Sequence, residues 1–414
     1  MTLPATIQVS FDFSSGPVFG LPFTLGDPEN GILGVNVLAE EASFVVDLTD
    51  QTTLIKISRG RDLVQDQFNS GIVTVRILDP DGSFNPQNVS SPYFGKLQPL
   101  RKLRISATYD DQIHYLFSGY TTEYRYSFPK SEEIGYVDIH AVDAFTLFNK
   151  SAVTTIAGQS SGDSSGERIN LILDQIGFPT SQRNIDVGDT NLQSDPGTLR
   201  SVLQALKDVE FTEFGAVYIS GGGDVIFRER SDALETIAGT ATVFDQSSGI
   251  NYSQIRFSFD DKLIFNVANF KRIGGSMITE FDQNSIDTYF PHTITREGLL
   301  HQSDDEVASL ARAYIASRKA TDIRIDAIIL DLIQPNYDAG IDAALTLDFF
   351  DPVDISNTQP GGSVINKRLQ IFGVQHEITP NSWFTTFTTG EPLIDGFILT
   401  SAVSGILGQS VLAY

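Results

Sequence analysis

The chain has 414 residues, with 28 Lys+Arg against 52 Asp+Glu, a formal charge of −24 and no Cys. The acidic balance argues against a general nucleic-acid binder, which needs basic groups to neutralise phosphate, and against electrostatic docking on an anionic membrane. The lack of Cys excludes disulfides, thiolate metal sites and a cysteine nucleophile.

Hydrophobic residues make up 41% of the chain, with 29 Phe and 13 Tyr, which supports a sizeable core. At roughly 150 residues per domain, the length suggests two or three domains. Met1-Thr2-Leu3-Pro4 has neither the basic nor the apolar region of a signal peptide. The apolar stretch from Leu393 to Tyr414 is interrupted by Asp395, Gly396, Gly405, Gly408 and Gln409, so no membrane insertion by this chain is expected.

From residue 5 to about 150 the pattern is mainly β. Ile55–Ser58, Ile72–Ile77 and Leu103–Ala107 alternate apolar with polar residues, the mark of half-buried strands. Asp110-Asp111 separates two such runs and predicts a hairpin, and Tyr136–Val142 adds another strand. Many short strands suggest a closed or nearly closed barrel. Residues 157–166 read as a Gly/Ser-rich linker. A helix follows, with Ser164 and Glu167 at capping-box spacing and Ile169, Ile172, Leu173 and Ile176 on one face. A second helix starts near Thr198, and Ala216–Ser220 with Val225–Arg228 predicts a hairpin turning on Gly221-Gly222-Gly223. Beyond residue 252 β character returns, at 263–272, 323–332, 344–350, 368–378 and 383–387. One helix intervenes at 303–318, where Ser303 and Glu306 form a capping box.

Signals of catalysis are absent. No two of His114, His140, His292, His301 and His376 have metal-ligand spacing, and no HExxH or G-x-S-x-G occurs. His114 and His140 read as sheet residues, and His376 as a partner in a cross-strand hydrogen bond. Asp79-Pro80-Asp81-Gly82 resembles the start of a calcium loop but lacks the later ligands, so it reads as a β-turn. Gly158–Gly166 lacks the Lys-Ser/Thr of a P-loop. The expectation is no enzyme, no cofactor and no metal.

One segment is more specific. It runs Ile57-Ser58-Arg59-Gly60-Arg61-Asp62, Gln67–Ile77, Asp79-Pro80-Asp81-Gly82-Ser83-Phe84-Asn85-Pro86, Ser91–Arg101 and Tyr115–Tyr120. It resembles the first barrel of the tail-hub, or minor tail, proteins of long-tailed bacteriophages. Leu345–Asp351, Val374–Pro380 and Trp383 are similar to the second barrel of such hubs. The fold class implied is mainly β with an α+β insert, as two hub-type β-barrel domains plus a small α+β module. The boundaries are 1–156 for the first barrel, 157–245 for the insert, 246–390 for the second barrel and 391–414 for an apolar tail in contact with a partner.

The resemblance implies a structural virion protein of the tail tip, made in the host cytoplasm. Its copies form a homotrimeric ring that joins a sixfold tube or distal tail protein to a threefold tip or fibre around the DNA exit channel. No sequence-specific nucleic-acid binding is expected. Interface candidates are Arg59, Arg61, Asp79, Asp81, Phe84, Tyr93, Trp383 and Phe397. Arg59 and Arg61 fit two readings: an internal bridge to Asp62, Asp79 or Asp81, or an intersubunit bridge. The alternatives are a sixfold distal-tail adaptor and a carbohydrate-binding or depolymerising protein whose groove would use Trp383 and tyrosines.

Overall fold

The computed structural model describes residues 3–14, 44–128, 135–231 and 236–392. The chain is mostly β, with 42% strand and 20% helix. The front strands are β1 (Thr6–Asp12), β2 (Val45–Asp47), β3 (Thr52–Asp62), β4 (Gln67–Phe68), β5 (Ile72–Leu78), β6 (Lys102–Tyr109), β7 (Gln112–Ser127) and β8 (Tyr136–Val142). Next come α1 (Phe145–Lys150), β9 (Ala152–Val153), α2 (Ser165–Gln175), β10 (Arg183–Ile185), β11 (Arg200–Ser201), α3 (Val202–Glu213), β12 (Ala216–Ile219) and β13 (Val225–Arg228). The remainder holds β14 (Thr242–Phe244), β15 (Gln254–Ser258), β16 (Val267–Arg272), β17 (Ile278–Phe281), α4 (Gln283–Tyr289), β18 (Thr293–Leu299) and α5 (Asp304–Arg318). It ends with β19 (Arg324–Asp331), α6 (Asp338–Thr346), β20 (Pro352–Thr358), β21 (Val364–Thr379) and β22 (Ser382–Gly390).

Both β-rich units belong to one 14-stranded sheet. Its main path is β15-β19-β22-β21-β3-β5-β8-β7-β6-β1-β2, with β14 on β20, β20 on β21 and β4 on β3. Alternation along β3 buries Ile55 and Ile57 and turns Lys56 outward. The predicted β6–β7 hairpin turns at Asp110 and Asp111, with φ of 48° and 58°, the conformation a two-residue turn needs to match strand twist. In the back unit, side chains bring the start of β15 to the end of β20. Tyr252 donates its hydroxyl to the Ser356 carbonyl (3.0 Å) and accepts from Asn357 (2.6 Å).

Two α+β modules pack on this sheet. The first holds α2, α3 and the β10-β13-β12 sheet, and its predicted capping box at Ser164 and Glu167 is present. The run 157–166 is not a free linker: Arg168 reaches back to Asp163 (3.0 Å) and to the Ser160 carbonyl (2.9 Å). The second module lies inside the region expected to be all second barrel. Strands β17-β16-β18 form a separate sheet, against which α5 buries Val307, Leu310, Ala311 and Tyr314. The strand expected at 344–350 is also corrected, because residues 338–346 are α6. Its buried Gly340, Ile341, Ala344 and Leu345 recur at helical spacing, which the local alternation of Ala344–Leu347 masked.

The first module is wedged in rather than appended. The turn after β12 seats on β7 so closely that a Cβ on Gly221 would lie 2.1 Å from the Tyr115 carbonyl oxygen. Gly221→Ala is therefore expected to cost about 1–3 kcal/mol by overpacking. Chemical denaturation measures this, and an unchanged midpoint would mean that the turn does not seat there.

Candidate functional site

The seam between the two β units is the feature that organises the molecule. The first half of β21 pairs with β20, and its second half pairs antiparallel with β3, from Ile378↔Ile55 to Gly373↔Gly60. The glycines permit this approach: a Cβ on Gly60 would lie 3.0 Å from Gly373 Cα. The inward face of β3 carries Arg59 and Arg61, both buried.

Arg59 grips Asp348 with both terminal nitrogens, at 3.1 and 3.4 Å, and its guanidinium lies 5.0 Å from the Phe349 ring centre. It also donates to the Ile219 carbonyl on β12 (3.5 Å). One side chain thus joins the front unit, the back unit and the first module. Arg61 lies between the rings of Phe68 and Phe372 and donates to the Asp66 carbonyl (2.9 Å), with the Asp66 carboxylate at 3.4 Å. The same carboxylate accepts from Tyr314 (2.6 Å) and Arg318 (2.6 Å) on α5. Burial pulls the Arg61 pKa down against the attraction of Asp66. Burial works against Arg318 too, but Asp66 sits closer to it and its pKa ends above the ordinary value.

These contacts are internal, as one of the two readings held, but with other partners. Asp62 instead accepts from the Val64 and Gln65 amides (2.9 and 3.0 Å). Asp79 accepts from the Ser83 and Phe84 amides (2.6 and 3.0 Å), which fixes the predicted turn with Gly82 at φ 64°. Asp81 is exposed and offers only its carbonyl, to Asn88 (3.3 Å).

Most of the interface candidates are corrected by burial. Phe84 has no exposed surface and Tyr93 is buried; their rings lie 5.0 Å apart, and Tyr93 stacks on Phe13 at 5.0 Å. They fill the underside of the 79–101 loop. Trp383 is fully buried, with its indole N–H directed at His376 Nδ1 (3.4 Å). It therefore cannot serve as a sugar platform or an exposed anchor. His376 makes its cross-strand bond to Thr385 Oγ1 (2.9 Å). Burial, with Arg59 nearby, depresses its pKa to about 3. Phe397 lies outside the described residues. Apolar surface is offered instead by Val89 and Phe94 on the loop and by Phe259 and Phe290 in the back half. No sequence period marked these residues. Among the described residues no group of three or more His, Cys, Asp or Glu is placed to hold a metal, and no helix is long and apolar enough to cross a membrane.

No family model matches the chain, and no curated protein matches it in sequence. Solved structures do match its fold. The 43 kDa tail protein of prophage MuSo2 from Shewanella oneidensis superposes with a TM-score of 0.54 at 12% identity, over 84% of this chain and 96% of that one. The tail protein from Neisseria meningitidis MC58 gives a TM-score of 0.55 at 11% identity, over 85% and 94%. The chain shares the fold of these two phage tail proteins.

Proposed function

We propose that the chain is a structural hub of a phage tail tip, without catalysis of its own. Its copies would close into a homotrimeric ring between a sixfold tube or distal tail protein and a threefold tip or fibre. The observation that carries this reading is the seam. One chain supplies two β units, and the β3–β21 ladder and the Arg59–Asp348 pair hold them in fixed relation. Three such chains present six wall segments, the simplest match between sixfold and threefold neighbours, and a closed ring needs only one heterologous interface repeated. The localisation follows as the virion tail.

Light scattering on the purified full chain tests this. The expected result is a species of three times the 45.3 kDa chain mass, or a larger ring. A clean monomer at high concentration would overturn the proposal.

A further inference from the structure

A cleft of about 110 Å³ opens where three parts of the chain meet. The front unit contributes Leu63 and Asp66, α5 contributes Arg318, and the back unit contributes Ile325, Leu369 and Phe372, which make an apolar wall. The charged groups of the cleft are all engaged. Asp66 pairs with Arg318 (2.6 Å), Arg324 with Asp260 (2.8 Å), and both Asp322 and Glu391 with Lys367. No cation is left over to select an anion, so the cleft suits an apolar occupant.

The last strand passes along this cleft. β22 stays in its ladder as far as Gly390, which pairs with Gln370. A Cβ on Gly390 would lie 2.9 Å from the Phe372 ring and 3.9 Å from Leu63 Cδ2, so the backbone rests against the cleft wall. Lys367 then holds Glu391 (2.8 Å), and Glu391 and Pro392 line the opening. Next in the sequence come Leu393 and Ile394, which lie outside the described residues. Chain geometry alone keeps their Cα atoms within about 4 and 7 Å of that of Pro392. We infer that the cleft is the seat of Leu393 and Ile394 of the same chain. A segment tethered this closely meets the cleft at a millimolar effective concentration, which a second copy in dilute solution does not match. Seating it buries two aliphatic side chains among all three parts at once. The root of the apolar tail is then a clasp beside the seam, and the residues beyond it are the part left for a partner. The inference does not depend on the ring.

Paired cysteines in the full-length protein test this. The chain has no Cys, so Leu63→Cys with Ile394→Cys, and separately Leu263→Cys with Ile394→Cys, each give one possible pair within a chain. Leu63 and Leu263 both line the cleft, and a disulfide needs Cα atoms within about 7 Å. Mild oxidation is expected to close a disulfide inside one chain in at least one of the two variants, read by peptide mass mapping of the monomer band. A disulfide between chains means that a neighbour's tail fills the cleft. No disulfide in either variant means that the segment does not reach it. Each of these two results overturns the inference.

A second measurement needs no cross-link. Leu393→Asp with Ile394→Asp should lower the thermal midpoint of the full chain by about 3–6 °C, the scale for exposing two aliphatic side chains. Val411→Asp with Leu412→Asp changes an equally apolar pair farther along the same tail and should leave the midpoint where it is. Equal midpoints in the two double variants, whether both unchanged or both lowered, overturn the clasp.

Discussion

Asp66→Ala is expected to lower stability by about 3–5 kcal/mol, the scale for removing one partner of a buried ion pair. The carboxylate is 2% exposed and answers to two arginines and a tyrosine at once. Without it, Arg61 and Arg318 are left as neighbouring buried cations. Nε and Nη1 of Arg61 already lack hydrogen-bond partners, so no second acceptor stands ready. Because Asp66 belongs to the front unit and Tyr314 and Arg318 to α5, the damage should appear as loosening of the second module. Asp66→Asn keeps an acceptor and should fall between the variant and the native chain. Lys56→Ala is the comparison: its pair with Glu377 is about half exposed, and such pairs contribute at most about 1 kcal/mol. Denaturant titration decides the matter, and an Asp66→Ala loss no larger than that of Lys56→Ala would refute the account.

Acidification gives the second large effect. Burial, with Arg59 close by, holds the folded-state pKa of His376 at about 3, and burial with Arg230 nearby holds that of His301 at about 4. In the unfolded chain both titrate near 6.5. Between these limits the unfolded state binds more protons, so stability is complete above about pH 6.5 and declines as pH falls. Each histidine contributes a slope of about 1.4 kcal/mol per pH unit in that window. The two histidines alone should therefore lower the unfolding free energy by about 4 kcal/mol between pH 7 and pH 5, against an opposing contribution from Asp143, whose buried carboxyl is pushed up to about 7 and takes up a proton in the folded state over the same range. Replacing both residues by Gln should remove this acid-induced loss, so that the double variant no longer loses stability between pH 7 and pH 5, even if each replacement costs stability at pH 7. A double variant as acid-sensitive as the native chain would locate the protons on other groups.

Local features were legible in the sequence, because they depend on neighbours a few positions apart. The capping boxes at Ser164/Glu167 and Ser303/Glu306, the Asp110-Asp111 turn and the alternating runs of β3, β5 and β8 all form. Long-range pairing was not legible. Arg59 finds its carboxylate 289 positions away, while nearer acids are already committed to backbone amides. Burial misled in the other direction. Phe84, Tyr93 and Trp383 belong to specific-looking motifs, yet they are specific because they pack, and a packed ring has nothing left to offer a partner. The second module escaped notice because β16, β17 and β18 are as short and alternating as barrel strands, and only their pairing sets them apart.

The shared ladder also has a consequence during synthesis. As the nascent chain leaves the ribosome, β3 emerges early with one edge meant for a strand not yet made. At roughly 5–20 residues per second, the 313 positions between Gly60 and its ladder partner Gly373 (373 − 60) mean a wait of about 16–63 s. Throughout it that edge is open to wrong partners. The outward Lys56, together with Gly60, is well placed as a gatekeeper over this interval, since a lone ammonium and a missing side chain both discourage premature strand addition.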